Sequence, residues 1–261
     1  SIANPIIKAV SLTGSEQAGI AVATEAGKHL KKCVLELGGS NAFIILEDAN
    51  LDKAVAIAVN ARMQNAGQSC IAAKRFLVHE NIVEEFVAKL KVAIQNLKTG
   101  NPFDKEMQIG SLARVDLAEE LEAQVQKSIQ MGADLIVGGT RKEAFYEPTI
   151  LANVTTEMPV FNEETFGPVA SIITFKTLEE AIELSNQSEF GLGVSIFTQD
   201  IDFIKTKISA FNEGAVFINE MVKSDPRLPF GGIKKSGYGR ELAEDGIKEF
   251  VNIKTIVINT F

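Results

Sequence analysis

Apolar positions along this chain follow two alternating periods. Short continuous runs, AVSLT (9–13), CVLEL (33–37), AFIIL (42–46) and RFLVH (75–79), read as strands. Between them apolar residues recur at spacings of three and four. Ile20, Ala23, Ala26 and Leu30 predict a helix over 16–31, and its KHLKK end carries cations that suit a helix C-terminus. Leu51, Val55, Ala58 and Val59 predict a second helix with Asn50 as its N-cap. Phe86, Leu90, Ala93 and Leu97 lie on one stripe of a third. The alternation continues with a helix over 113–131, a strand and turn at DLIVGG, a strand at ASIITF, a helix over 178–187, a strand at GVSIFT, a helix over 202–211 and a strand at GAVFIN. Strands separated by helices in this way predict an α/β fold with a largely parallel sheet. The glycine-rich PFGGIKKSGYG (229–239) reads as loop, a flexible lid or wall in which Lys234, Lys235 and Arg240 are solvated or paired. A helix over 240–249 follows, then a terminal strand, VNIKTIVINT (251–260), which pairs within the domain or is lent to another subunit. Composition alone favours the first.

Charge and composition narrow the partners. The chain has 261 residues and a net charge of −8, which argues against nucleic acid and anionic lipid. No apolar run approaches the ~18 residues of a membrane span. The opening SIANPIIKAV lacks the basic and apolar regions of a secretory signal. Two cysteines do not form a disulfide framework and suit a reducing cytosol, so a cytoplasmic location is expected. The apolar IIKAVSLT begins almost at Ser1, so the sequence is expected to enter a fold partway through.

Several stretches carry candidate chemistry. In NAGQSCIAAKR (65–75), Cys70 is either a small buried hydrophobe or a nucleophile. A free thiol of pKa ~8.5 is only a few per cent thiolate at neutral pH, so a reactive one needs help. Gly67 permits close backbone approach, and the IAAK that follows Cys70 is expected to open a helix whose N–H groups favour an anion. No histidine lies nearby, since His79 falls in a strand pattern. Glu36, in CVLELGGS, either ends its strand in solvent, pairs with a cation, or acts as a general base with a raised pKa. Cys33 shares a face with Leu35 and reads as core. LTGSEQAG (12–19) sets a Gly-Ser turn between strand and helix, where phosphate can meet backbone N–H groups, although its spacing is not G-x-G-x-x-G. EETFGP (163–168) places two acids before a turn, and an acid there can solvate a loop or accept from ribose hydroxyls.

In this order, LTGSEQAG, LELGGS, NAGQSC, ETFGP and PFGGIKKSGYGRE resemble the motifs of the aldehyde dehydrogenase superfamily along the whole chain, and the 34 positions from Glu36 to Cys70 fit its pattern. AGKHLKKCVLELGGSNAFIILEDANLDKAV and GQSCIAAKRF are most similar to bacterial NAD(P)-linked succinate-semialdehyde dehydrogenases. The resemblance implies an α/β catalytic domain with a remnant of a Rossmann-type cofactor domain and a C-terminal oligomerisation strand. Its expected boundaries are 1–37 for the cofactor-domain remnant, 38–230 for the catalytic domain, 231–250 for a return segment to the cofactor domain and 251–261 for the oligomerisation strand.

The resemblance also implies roles. Cys70 attacks the aldehyde, Glu36 activates water, NAD or NADP accepts hydride, and the Cys70 N–H is one oxyanion donor. Gly14, Ser15, Gly19 and Leu37 would line the cofactor turn, Glu164 would bind the nicotinamide-side ribose, and Phe166 would pack near the nicotinamide. No metal is implied, and the partners are a small aldehyde and further copies of the chain.

Two departures stand out. Ser40 follows the two glycines where the common motif has Lys. Gln64 holds the place where many succinate-semialdehyde enzymes carry Arg, leaving Arg62, Ser224 and Arg227 as the candidates for a substrate carboxylate. Superfamily members are about twice as long, and the part not represented here supplies most of the dinucleotide bed, an oxyanion-hole Asn and a ribose-contacting Lys. The expected function is therefore aldehyde oxidation carried partly by this chain. A cysteine-dependent thioesterase or esterase, and a non-enzymatic oligomerising fragment, are the alternatives.

Overall fold

The structure is a computed structural model and describes residues 1–260. It contains a small N-terminal sheet and a larger seven-stranded one. The small unit is strand β1 (Ala9–Thr13), helix α1 (Glu16–Lys28) and strand β2 (Lys32–Glu36). β1 and β2 run parallel, with Thr13 opposite Glu36. Ser15 caps α1 by accepting the Ala18 N–H at 3.3 Å, and Glu16 and Lys28 sit at the helix ends that complement its dipole. α1 stops at Lys28, short of the expected residue 31. Cys33 is core, packed with Ala26, Leu35 and Leu37.

The chain then builds β3 (Asn41–Ile45), α2 (Leu51–Met63), β4 (Ala73–His79), α3 (Val83–Gln95), α4 (Val115–Gln130), β5 (Asp134–Val137), β6 (Thr149–Ala152), α5 (Pro159–Asn162), β7 (Val169–Phe175), α6 (Leu178–Asn186), β8 (Val194–Phe197), α7 (Ile201–Lys205), β9 (Val216–Ile218) and α8 (Ala243–Lys248). The large sheet has the order β9-β8-β3-β4-β7-β6-β5. All neighbours are parallel except β5 and β6. β3 and β4 are buried almost throughout, as strands within a parallel sheet covered on both faces are. Phe43 anchors the core, with its ring 4.4 Å from Phe197 and 5.1 Å from Phe76. This is the α/β architecture that the alternating periods predict.

Three expectations need correction. The helix over 202–211 is shorter, α7 followed by a single 3-10 turn at Ile208–Ala210. Segment 229–239 is a fixed wall. Ile233–Lys234 pair with Phe190–Gly191, and Gly237–Tyr238 pair with Leu35–Glu36, both antiparallel. Lys235 meets Glu189 at 2.7 Å, while Lys234 and Arg240 donate to backbone carbonyls. Apart from those of Arg240, these partners are distant in sequence, so local composition carries no trace of them. Third, residues 251–260 form no ladder within this chain, and Ile253, Val257 and Ile258 are 88%, 79% and 80% exposed. Pairing inside the domain, the choice that composition favours, does not occur. Among the described residues no helix is long and apolar enough to cross a membrane.

Candidate active site

The thiol sits on a loop that the backbone holds in an unusual shape. After α2 the chain passes through Asn65 (φ 53°), Ala66 (φ 53°) and Gly67 (φ 75°), three left-handed residues in succession. Such a run is costly for residues with a Cβ and persists only where surrounding contacts impose it. A Cβ at Gly67 would overlap the Gly167 carbonyl and lie 2.5 Å from the Arg62 guanidinium. Arg62 imposes the turn. It is 1% exposed and donates to the carbonyls of Gly67 at 2.7 Å and Ala73 at 2.9 Å, on either side of the cysteine. Cys70 lies between these anchors and is partly exposed. The helix expected after it does not form. Ile71 and Ala72 turn, and β4 starts at Ala73, because the loop carbonyls are spent on buried cations. Only the Ile71 N–H favours the thiolate from the local backbone.

Glu36 ends β2 and is 2% exposed. Neither carboxylate oxygen has a hydrogen-bond partner among the described residues. Burial raises its pKa to about 7, Glu241 adds to the rise, and the Gly232 backbone and Arg240 oppose it. The carboxyl is thus close to half ionised at neutral pH, the state suited to taking a proton from water. The turn after it reaches the thiol loop. A Cβ on Gly39 would stand 2.6 Å from the Cys70 carbonyl oxygen, so only glycine lets the two segments touch. Asn41 ties the same place together. It is 2% exposed, donates to the Ile71 carbonyl at 3.0 Å and accepts the Gly193 N–H at 3.2 Å.

Glu164 joins this cluster from the loop before β7. Its Oε1 accepts the Gly39 N–H at 3.0 Å and pairs with the Lys74 ammonium at 3.2 Å. Burial raises the Cys70 pKa, Lys74 is the strongest influence against the rise, and Glu164 and Glu36 add to it. The structure therefore brings Cys70, Glu36, Glu164 and Lys74 into one electrostatic neighbourhood.

Gly14 and Ser15 are exposed at the start of α1, and Gly19 is buried, where a Cβ would lie 2.6 Å from the Leu37 side chain. Phe166 is 36% exposed beside Glu164. An open helix N-terminus and a part-exposed carboxylate fit the phosphate and ribose of a dinucleotide.

The carboxylate-binding candidates do not converge. Arg62 is buried, and the hydrogen bonds it makes all go to backbone carbonyls, so it is not presented to a substrate. Arg227 is 86% exposed in its side chain and held by Asp225 through contacts at 2.9 and 2.5 Å. Ser224 is exposed on the same loop. Sequence reasoning missed Lys74 and Asn41. The signal for Lys74 was two consecutive cations, Lys74 and Arg75, opening an otherwise apolar strand. Among the described residues no group of three or more His, Cys, Asp or Glu side chains could hold a metal ion.

Residues 2–256 match the profile of the aldehyde dehydrogenase family. The chain is 50% identical over 253 residues to succinate semialdehyde dehydrogenase [NAD(P)+] Sad of Escherichia coli, which covers 96% of this chain and 55% of that protein. It is 50% identical over 260 residues to a probable succinate-semialdehyde dehydrogenase [NADP(+)] of Synechocystis, covering 98% and 57%. Succinic semialdehyde dehydrogenase from Streptococcus pyogenes, solved in complex with NADP+, superposes with a TM-score of 0.95 at 41% identity, covering 99% of this chain and 58% of that one. Gox0499, solved for its cofactor and substrate selection, gives a TM-score of 0.95 at 46% identity over 99% and 57%. The chain spans about half the length of the curated relatives it matches.

Proposed function

Because this chain belongs to the aldehyde dehydrogenase family, we propose that it carries the thiol and the general base of an NAD(P)+-dependent oxidation of an aldehyde to its acid, with succinate semialdehyde as the substrate. The observation that carries this reading is the contact between the Gly39 turn and the Cys70 carbonyl, which joins the base-bearing strand to the thiol loop. The substrate follows from the relatives, two of which are named for succinate semialdehyde at 50% identity.

In this mechanism the Cys70 thiolate forms a C–S bond to the carbonyl carbon, and the carbonyl electron pair moves to oxygen. The Cys70 backbone N–H meets that oxyanion. A nicotinamide dinucleotide, when bound, supplies the hydride acceptor that turns the adduct into a thioester. Glu164, beside Phe166, would hold its ribose, and Gly14, Ser15, Gly19 and Leu37 would line its phosphate turn. Glu36 takes a proton from water as the water oxygen adds to the acyl carbon, the C–S bond breaks, and the acid leaves with the thiolate restored. Ser224 and Arg227 remain the candidates for a substrate carboxylate, and Arg227 would have to exchange Asp225 for it. The exposed 251–260 segment would pair with a second copy, in a cytoplasmic homo-oligomer.

The test is a fusion that adds the part of the Escherichia coli relative outside the aligned residues. Succinate semialdehyde should then drive reduction of NAD+ or NADP+. Cys70→Ser should abolish it, and Glu36→Gln should leave one turnover followed by arrest. A Cys70→Ser fusion that keeps the wild-type rate would overturn the assignment.

A further inference from the structure

The thiol lacks the usual aids to ionisation. Of the two histidines, His29 pairs with Glu25 and His79 with the Lys176 carbonyl, so neither serves Cys70. No helix begins after the cysteine, and two carboxylates, Glu36 and Glu164, face it. One cation remains. The Lys74 side chain is 0% exposed, and its ammonium donates to the Ser69 carbonyl at 2.8 Å, to the Cys70 carbonyl at 3.0 Å and to Glu164 Oε1 at 3.2 Å. An ammonium has three donors and no acceptor. All three are used here, so Lys74 holds its proton and is not a base for the thiol. Two of its acceptors flank the Cα of Cys70, and the third is the acid proposed to hold the cofactor ribose.

We propose that Lys74 is the positioning residue of this site, fixing the thiol loop to Glu164 and supplying the positive charge that favours the Cys70 thiolate. The inference rests on Cys70 being the nucleophile and adds how that thiol is kept reactive without a histidine. The groups facing Lys74 are Glu164 from the loop before β7, Arg62 from α2 and Cys70 itself; those facing Cys70 are Lys74, Glu164 and Glu36. Burial draws Lys74 down to about 8 while Glu164 holds it up, so the ammonium is the main form at neutral pH. Lysine is suited to this place. Its compact ammonium fits between two carbonyls and a carboxylate on neighbouring loops, where a planar guanidinium would spread its donors.

The experiment measures iodoacetamide alkylation of Cys70 against pH, read by mass spectrometry of the peptide containing it, in the wild type and in Lys74→Met, Lys74→Gln and Lys74→Arg. Loss of the cation should raise the midpoint by about one pH unit, slowing alkylation near neutral pH about tenfold. Lys74→Arg should restore part of the rate, because it returns the charge without the compact fit. A folded Lys74→Met protein with the wild-type midpoint overturns the proposal. Should that variant not fold, a wild-type midpoint in Lys74→Gln, which keeps a donor for the loop carbonyls and drops the charge, overturns it instead. Failure of the nucleophile assignment is seen separately, as turnover surviving in the Cys70→Ser fusion.

Discussion

Replacing Glu36 by Gln should stabilise the protein in a pH-dependent way, and the size of the effect follows from its burial. The carboxyl is 2% exposed, neither oxygen is hydrogen-bonded, and its pKa stands at about 7 against an ordinary 4.5. A folded-state pKa above the unfolded one means that the folded chain holds its proton more tightly. The associated stability is fully present below about pH 4.5 and is lost as pH rises through about 7. The displacement corresponds to ~3.4 kcal/mol once ionisation is complete. Glutamine has the same shape and does not ionise. Its amide is also buried without partners, but that cost is the same at every pH. The stability difference between Glu36→Gln and wild type should therefore grow by about 2–3.5 kcal/mol from about pH 4.5 to about pH 8.5. Urea unfolding across that range measures it, and other titrating groups are common to both proteins and cancel. A difference flat to within ~0.5 kcal/mol would refute the reasoning, because it would mean that water or a cation reaches the carboxylate.

Three further outcomes are expected. Gly39→Ala sets a Cβ 2.6 Å from the Cys70 carbonyl, a backbone atom that no rotamer change can move, so kcat of the fusion should fall by about 10²-fold for a stability loss of about 1–3 kcal/mol; a kcat within threefold of wild type would count against it. Arg62→Lys keeps the charge but not the fork that spans the Gly67 and Ala73 carbonyls, and should lower stability by about 2–4 kcal/mol in urea titration; an unchanged midpoint would show that the left-handed turn holds by itself. Glu213 is raised to about 8 by burial, with Arg75 and Lys234 opposing, so Glu213→Gln should raise Tm relative to wild type at about pH 9 and not at about pH 5; equal Tm differences at the two pH values would refute this.

The fold was legible where periodicity is local. The runs at 42–46 and 75–79 became β3 and β4, and their apolar cores, AFII and FLV, are buried as in a covered parallel sheet. Asn50 caps α2 as its side chain predicts, accepting the Lys53 N–H at 3.1 Å. Glu36 and Cys70 were visible as odd residues, a carboxylate ending an apolar strand and a thiol among small polar neighbours, and the structure gathers them. What stayed hidden depends on distant partners. The wall at 229–239 takes its shape from Leu35, Glu36, Phe190 and Gly191. Arg62 looks like a surface cation at the end of a helix, yet its partners are carbonyls that come within reach only when the loop after α2 folds back. Lys74 reads as an ordinary charge until Glu164, 90 positions later, is brought beside it.

The placement of the chemistry explains why buried cations collect around it. In open α/β sheets ligands gather at the carboxyl ends of the strands, where the strand order reverses and helix N-termini point inward. This sheet has such a cleft of about 400 Å³, bordered by Asn50, Lys53, Thr198, Gln199 and Asn219 at the ends of β3, β8 and β9. The thiol is at the opposite edge. Gly39 precedes β3, Cys70 precedes β4, Glu164 precedes β7 and Gly193 precedes β8, all of them parallel amino ends. At that edge the helices arrive with their C-termini, which present unpaired carbonyls and a negative partial charge. A thiolate or an oxyanion is disfavoured there unless positive charge is supplied. Three buried cations supply it, each bonded to carbonyls. Arg62 serves Gly67 and Ala73, Lys74 serves Ser69 and Cys70, and Arg75 serves Ser40 at 2.9 Å and Leu184 and Ser185 at the end of α6, at 2.6 and 3.0 Å. Burying three cations costs less here than it would in an apolar core, because carbonyl oxygens replace the lost water. Of the three, only Lys74 donates to the carbonyl of the cysteine itself, so the other two hold the edge together and Lys74 acts on the thiol.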